Sequence, residues 1–181
     1  MLDKILQLEE FSEEDKNLLE ILMRCHAKAS VLNNNISTVT FVNAARGSGN
    51  IYQSIIAGIS CMGGVHAPVL QARDLIFNQD INVEALKEAI EKGFKVPGFG
   101  NSFYKDKIDP SFQEFDDAIT YTAQHEKLTR HEDVIEEVKG KKIYPNAAGY
   151  TALMADILKL PPGQEVWLVL APRLASWISI F

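Results

Sequence analysis

The 181-residue chain has little of several things, and each shortage excludes a class of protein. Only two cysteines occur, Cys25 and Cys61; they form no CxxC and have no histidine pair nearby, which excludes a zinc or redox motif and leaves two reduced, buried thiols as the expectation. Basic residues are scarce: 18 Lys and Arg against 24 Asp and Glu give a net charge of −6, which argues against a general nucleic-acid binder. Arg46, Lys105 and Lys107 are scattered in sequence and read as solvated surface charge. No apolar run suits a membrane span. The most apolar stretch, Val166 to Phe181, is short and carries Pro172 and Arg173, so it reads as a buried helix. The opening Met1-Leu2-Asp3-Lys4 runs into acidic residues and not into an apolar signal segment, and the expectation is a cytoplasmic protein. Internal repeats, low-complexity tracts and long linkers are also missing, and residues 1–181 are expected to form a single domain.

What is present reads as almost entirely helical. Ser12-Glu13-Glu14-Asp15 is a helix start, followed by Leu18, Leu22, Cys25 and Ala29 at helical spacing. Asn33-Asn34-Asn35 breaks that helix, and a second is expected over Ser37 to Ala45. A third runs from Asn50 to Met62, where Gly63-Gly64 ends it; a fourth is expected over Pro68 to Phe77 and a fifth after the cap Asn82. Asp109-Pro110 reads as the capped start of a sixth helix carrying Phe112 and Phe115, and a seventh is expected near Leu128 to Val138. Asn146 to Leu158 and Val166 to Phe181 complete the set, with Pro172 expected to kink the last. His26, His125 and His131 have no motif around them and read as surface or helix-face residues; Trp167 and Trp177 read as core.

The loops between these helices hold the unusual residues: Gly63-Gly64-Val65-His66, Pro97-Gly98-Phe99-Gly100-Asn101-Ser102-Phe103-Tyr104-Lys105 followed by Asp109-Pro110, and Tyr144-Pro145-Asn146-Ala147-Ala148-Gly149-Tyr150. With Asn35-Ile36-Ser37-Thr38, Gly49-Asn50-Ile51-Tyr52, Leu160-Pro161-Pro162 and Ala171-Pro172-Arg173-Leu174-Ala175-Ser176-Trp177, they resemble, in order and spacing, the motifs of the citrate synthase family. The resemblance spans Asn35 to Trp177. It implies an all-α, compact multi-helix domain like the small domain of citrate synthase with adjoining helices of the large domain.

The family's reaction joins the methyl carbon of acetyl-CoA to a keto acid. It needs a carboxylate base, a donor on the thioester oxygen, an acid on the keto carbonyl, and cations on the substrate carboxylates. The resemblance maps the enol-stabilising histidine onto His66; Met62 can be aligned there instead, but the Gly-x-x-His spacing and Ala72 favour His66. The second histidine is replaced by Asn101, the arginine after it by Ser102, the aspartate base by Ala148, and a substrate-binding histidine by Leu32. Arg173 matches the arginine that clamps a substrate carboxylate, and Gly98, Phe99, Gly100 and Lys105 are candidate contacts for CoA. Losing one general acid or base typically costs roughly 10²–10⁴-fold, so two losses put ordinary citrate formation out of practical reach.

The leading reading is therefore a citrate synthase-like protein without most of the catalytic residues, a pseudoenzyme that keeps an acyl-CoA or small-carboxylate pocket and acts by binding or assembly. No metal site is implied, and no cofactor besides CoA or acyl-CoA. The implied partners are a second copy, as a homo-oligomer, or a fuller citrate synthase-like chain. The alternative is an active acyl-CoA enzyme (condensation, lyase cleavage or thioester hydrolysis) that uses His66 with Asp116 or Asp117 as base, completed by a partner chain. A third reading is a repurposed scaffold with the Val166–Phe181 helix as its assembly face. Arg173, costly to bury alone, faces either a carboxylate ligand or an internal acid.

Overall fold

The computed structural model describes residues 10–32, 35–62, 68–78 and 82–181. His66 and the rest of the Gly63–Ala67 loop lie outside the described residues, as does the side chain of Leu32. Nine α-helices are present among the described residues: α1 (Glu13–Leu32), α2 (Ile36–Ser48), α3 (Ile51–Ser60), α4 (Val69–Arg73), α5 (Val83–Glu91), α6 (Gln113–Ile119), α7 (Ala123–Lys139), α8 (Ala147–Ile157) and α9 (Val166–Ile180). The chain is all-α, as expected.

Most helix starts follow from local chemistry. Asn35, Asn50, Asn82, Thr122 and Asn146 each accept a backbone N–H from the first turn of the following helix, satisfying donors that have no partner inside the helix. Gly49 closes α2 in the left-handed region, at φ 60°, and lets α3 fold back against it. Two expected elements differ. The fourth helix is α-helical only to Arg73 and continues as a π-helical turn over Asp74–Asn78. The sixth begins at Gln113 and not at Pro110: Asp109 caps a preceding turn, accepting from Ser111 N at 2.9 Å, while Phe112 N donates to Asp109 O at 2.8 Å.

The main core surrounds α8, whose residues Ala148 to Ala155 are all buried; a helix apolar on every side has to be enclosed. Tyr150 stacks on Phe112 at 5.6 Å and meets Phe115 edge-on at 5.8 Å. α1 covers this centre with Leu18, Leu22 and Cys25. A smaller core joins Leu86 and Ile90 of α5 to Val134 and Ile135 of α7, and Phe99 packs against both. The loop holding Phe99 is thus fixed where the two cores meet.

The last helix is mostly core. Leu168, Val169, Pro172, Arg173, Ser176 and Trp177 are buried, while Val166, Ala175 and the last turn are exposed. Trp177 stacks on Phe41 at 5.4 Å and donates from Nε1 to Thr38 Oγ1 at 2.9 Å, while Trp167 is half-buried. Of the residues read as surface or helix-face, His26 and His131 are on buried helix faces: His26 is 0% exposed, and His131 is buried with its Nδ1 donating to Lys127 O at 2.8 Å. Cys25 is buried and Cys61 half-buried.

Candidate functional site

Two of the sequence-identified loops are joined by backbone. Gly100 N donates to Tyr144 O at 2.9 Å, and Asn146 N donates to Gly98 O at 2.9 Å, a short antiparallel bridge centred on Phe99 and Pro145. Asn146 strengthens the joint from both ends of its amide. Its Nδ2 donates to Gly100 O at 2.9 Å, and its Oδ1 accepts from Ala148 N at 2.9 Å and Gly149 N at 3.3 Å. The approach requires two glycines. Gly98 has φ +90°, and a methyl on Gly149 would overlap the carbonyl oxygen of Gly98.

This joint places Asn101 and Ala148 on adjoining segments. Asn101 shapes its own loop: Oδ1 accepts from Phe103 N at 2.9 Å, and Nδ2 reaches Asp109 Oδ2 at 3.4 Å. Ala148 is buried in the first turn of α8 and contributes only a methyl group. Ser102 and Lys105 stand exposed in the same loop.

Arg173 is held elsewhere, by the N-terminus of α2. Its Nη1 donates to Ser37 Oγ at 2.8 Å, and Ser37 in turn donates to Asn35 Oδ1 at 2.9 Å, the same oxygen that caps α2 through Thr38 N. The Asn-Ile-Ser-Thr motif is therefore the arginine's support. Arg173 is 8% exposed, and among the described residues its Nε has no partner and no carboxylate pairs with it. Burial alone pulls its pKa down to about 10. The other buried arginine, Arg73, does have an acid, Glu165, at 3.4 Å. Glu165 also accepts from Gly163 N at 2.9 Å and so pins the Pro161-Pro162-Gly163 turn.

His26 connects the two regions and was not singled out by motif. Thr151 gives its one proton to Ala147 O at 2.6 Å, so at its 2.7 Å contact with His26 Nε2 the imidazole must donate. Nδ1 is left bare, with no partner among the described residues. Burial first, and the nearby Arg173 charge second, hold His26 neutral with a pKa of about 3. The available signal was its spacing: His26 stands four residues after Leu22 and seven after Leu19, on the buried stripe of α1.

Asp116 and Asp117 are otherwise engaged. Asp116 accepts from Tyr150 OH at 2.8 Å, two residues beyond Ala148 and hence on another side of α8, and Asp117 accepts from Gln113 Nε2 at 2.9 Å. Asp116 lines a cleft of about 260 Å³ with His125, Glu132, Lys142, Tyr144 and Pro145, to which none of Asn101, Ala148 or Arg173 contributes. Among the described residues no group of three or more His, Cys, Asp or Glu is placed to hold a metal ion. No described helix is long and apolar enough to cross a membrane.

The comparison with known proteins agrees with these motifs. Residues 1–180 match the family described as citrate synthase, C-terminal domain. The chain belongs to the citrate synthase family. It is 28% identical, over 182 aligned positions, to Citrate synthase 1 of Mycobacterium tuberculosis, in both the CDC 1551 / Oshkosh and the H37Rv strains. That alignment covers 89% of this chain and 41% of the relative, so the chain spans about two fifths of the length of these curated relatives. Citryl-CoA lyase from Hydrogenobacter thermophilus shares the fold, with a TM-score of 0.71 at 22% identity, covering 98% of this chain and 73% of that one.

Proposed function

We propose that this citrate synthase family member binds a small carboxylate, free or as a CoA thioester, at Arg173, and does not carry out the family's condensation. The observation that carries the reading is the buried guanidinium with no described carboxylate against it. A cation is costly to bury without a counter-charge, and a carboxylate ligand supplies one with matching bidentate geometry. What supports the absence of condensation is the methyl of Ala148 at the position of the family's base and the engagement of Asn101 in its own loop. Neither side chain can take or carry a proton. Gly98, Phe99, Gly100 and Lys105 are the proposed CoA contacts, and His66 the proposed donor to a thioester oxygen. The relatives named citrate synthase and citryl-CoA lyase direct the choice of ligands to citrate, oxaloacetate and CoA thioesters.

Calorimetric titration of the full chain with citrate, oxaloacetate and acetyl-CoA tests this reading. Binding of at least one is expected, and Arg173→Met weakens it about 10- to 100-fold, the value of a hydrogen bond to a charged group. No heat from any of the three contradicts the pocket. Release of free CoA from acetyl-CoA and oxaloacetate contradicts the non-catalytic part.

A further inference from the structure

The cleft beside α7 is built from polar groups that the Arg173 site does not use. On α7, His125, Leu128, Thr129 and Glu132 recur at helical spacing, so they share one face, and all four line the cleft. Two carboxylates from different helices meet there, Asp116 of α6 and Glu132 of α7. Glu132 is 7% exposed, and among the described residues its one partner is Lys142 Nζ at 3.4 Å. Asp116 takes the Tyr150 hydroxyl on Oδ1, and its Oδ2 has no hydrogen bond among the described residues. A buried carboxylate with so little compensation costs stability unless a further cation meets it. Burial pushes the Glu132 carboxyl above the usual carboxylate range; Lys142 offsets part of this, and Asp116 and Asp133 add to it.

Lys142 indicates which kind of charge the cleft takes. Its ammonium stands over the Tyr144 ring, 5.1 Å from the centroid, with 46% of the side chain exposed. An ammonium between an aromatic face and a carboxylate is thus already part of the wall. From this arrangement we infer that the cleft binds a small primary aliphatic amine in its ammonium form, with Asp116 and Glu132 as the anionic seat and Tyr144 as the aromatic wall. Charge selects the class, because two carboxylates face Lys142 alone and a monocation balances the excess. Donor type narrows it. Among the described residues no third His, Cys, Asp or Glu is placed to complete a metal site, whereas an ammonium has three donors that rotate to meet separate oxygens. Size sets the limit: a cavity of about 150 Å³ takes benzene, so a cleft of about 260 Å³ admits roughly ten non-hydrogen atoms.

Isothermal titration calorimetry of the full chain with butylamine, at pH 8 and low salt, tests the inference. An aliphatic amine is charged at that pH; 1-butanol is the neutral isostere and magnesium chloride the inorganic cation. A saturable one-to-one isotherm is expected for butylamine and for neither control. Asp116→Asn and Glu132→Gln should each weaken it about 10-fold or more, the value of a lost hydrogen bond to a charged group. Lys142→Met should tighten it roughly 3- to 10-fold, because a like charge leaves and Glu132 is freed; a residue that served packing alone would not do so. Circular dichroism checks each fold, and Lys142→Met, at an exposed position, keeps the test decisive should Glu132→Gln misfold. The inference is overturned by no saturable heat from butylamine, by equal binding of 1-butanol or magnesium, by unchanged affinity in folded Glu132→Gln, or by a Lys142→Met variant that binds no more tightly. None of these outcomes bears on Arg173, which does not line the cleft.

Discussion

Replacing Arg173 with methionine should leave the ligand-free protein as stable as before, or make it more stable. Burial pulls the guanidinium down to about 10 from an ordinary value above 12, and at about 1.4 kcal/mol per tenfold that amounts to a desolvation cost on the order of 3 kcal/mol. Among the described residues the compensation is the hydrogen bond to Ser37 Oγ, and a bond from a charged donor contributes about 1.5–3 kcal/mol. Methionine has similar length, needs no partner and fills irregular space. The balance predicts a change between about 0 and +2 kcal/mol in favour of Arg173→Met, read from urea unfolding at neutral pH without ligand. Saturating citrate should narrow or reverse the gap: a ligand at 100 times its wild-type dissociation constant adds about 2.7 kcal/mol to the wild type and only about 0.4–1.4 kcal/mol to a variant that binds it 10- to 100-fold more weakly. A loss of 2 kcal/mol or more in ligand-free Arg173→Met would refute this reasoning, because it would mean that the arginine already has an internal counter-charge.

Two further predictions concern the neighbours of α8. His26 is neutral in the folded chain, with a pKa of about 3 against an ordinary 6.5, so below pH 6.5 only the unfolded chain takes up its proton. Stability should therefore fall by about 1.4 kcal/mol per pH unit below that point, about 2 kcal/mol by pH 5, and pH-dependent urea unfolding of His26→Gln should show a flatter profile; parallel profiles would exclude His26 as the source. Gly149→Ala should cost about 2–4 kcal/mol in urea unfolding, because the added methyl meets the Gly98 carbonyl and backbone cannot yield as a side chain can; a loss under 0.5 kcal/mol would show that the joint is loose.

Much of the architecture was legible because helix ends are written locally. Asn50, Asn82 and Asn146 marked their helix starts in sequence, and each does cap one. The π-helical turn at Asp74–Asn78 has no comparable local signature and depends on what packs against it. The helix beginning at Val166 was read as a candidate assembly face because it is so apolar; Leu168, Val169, Pro172 and Trp177 are core, while Ile178, Ile180 and Phe181 remain exposed. Apolarity gives the need for burial and leaves the choice of neighbour to tertiary packing. The same distinction separates Arg173 from His26. An arginine in an apolar helix announces a problem that requires a counter-charge, whereas a histidine on a buried stripe differs little in sequence from one at the surface. Its role depends on Thr151, 125 residues away.

The central claim is that a ligand carboxylate provides the counter-charge to Arg173. The most direct measurement is a crystal structure of the full chain grown with citrate. A citrate carboxylate within hydrogen-bonding distance of the Arg173 guanidinium, beside Ser37, is the predicted result. Arg173 paired with a carboxylate of the protein itself, with citrate bound elsewhere or not at all, would contradict it.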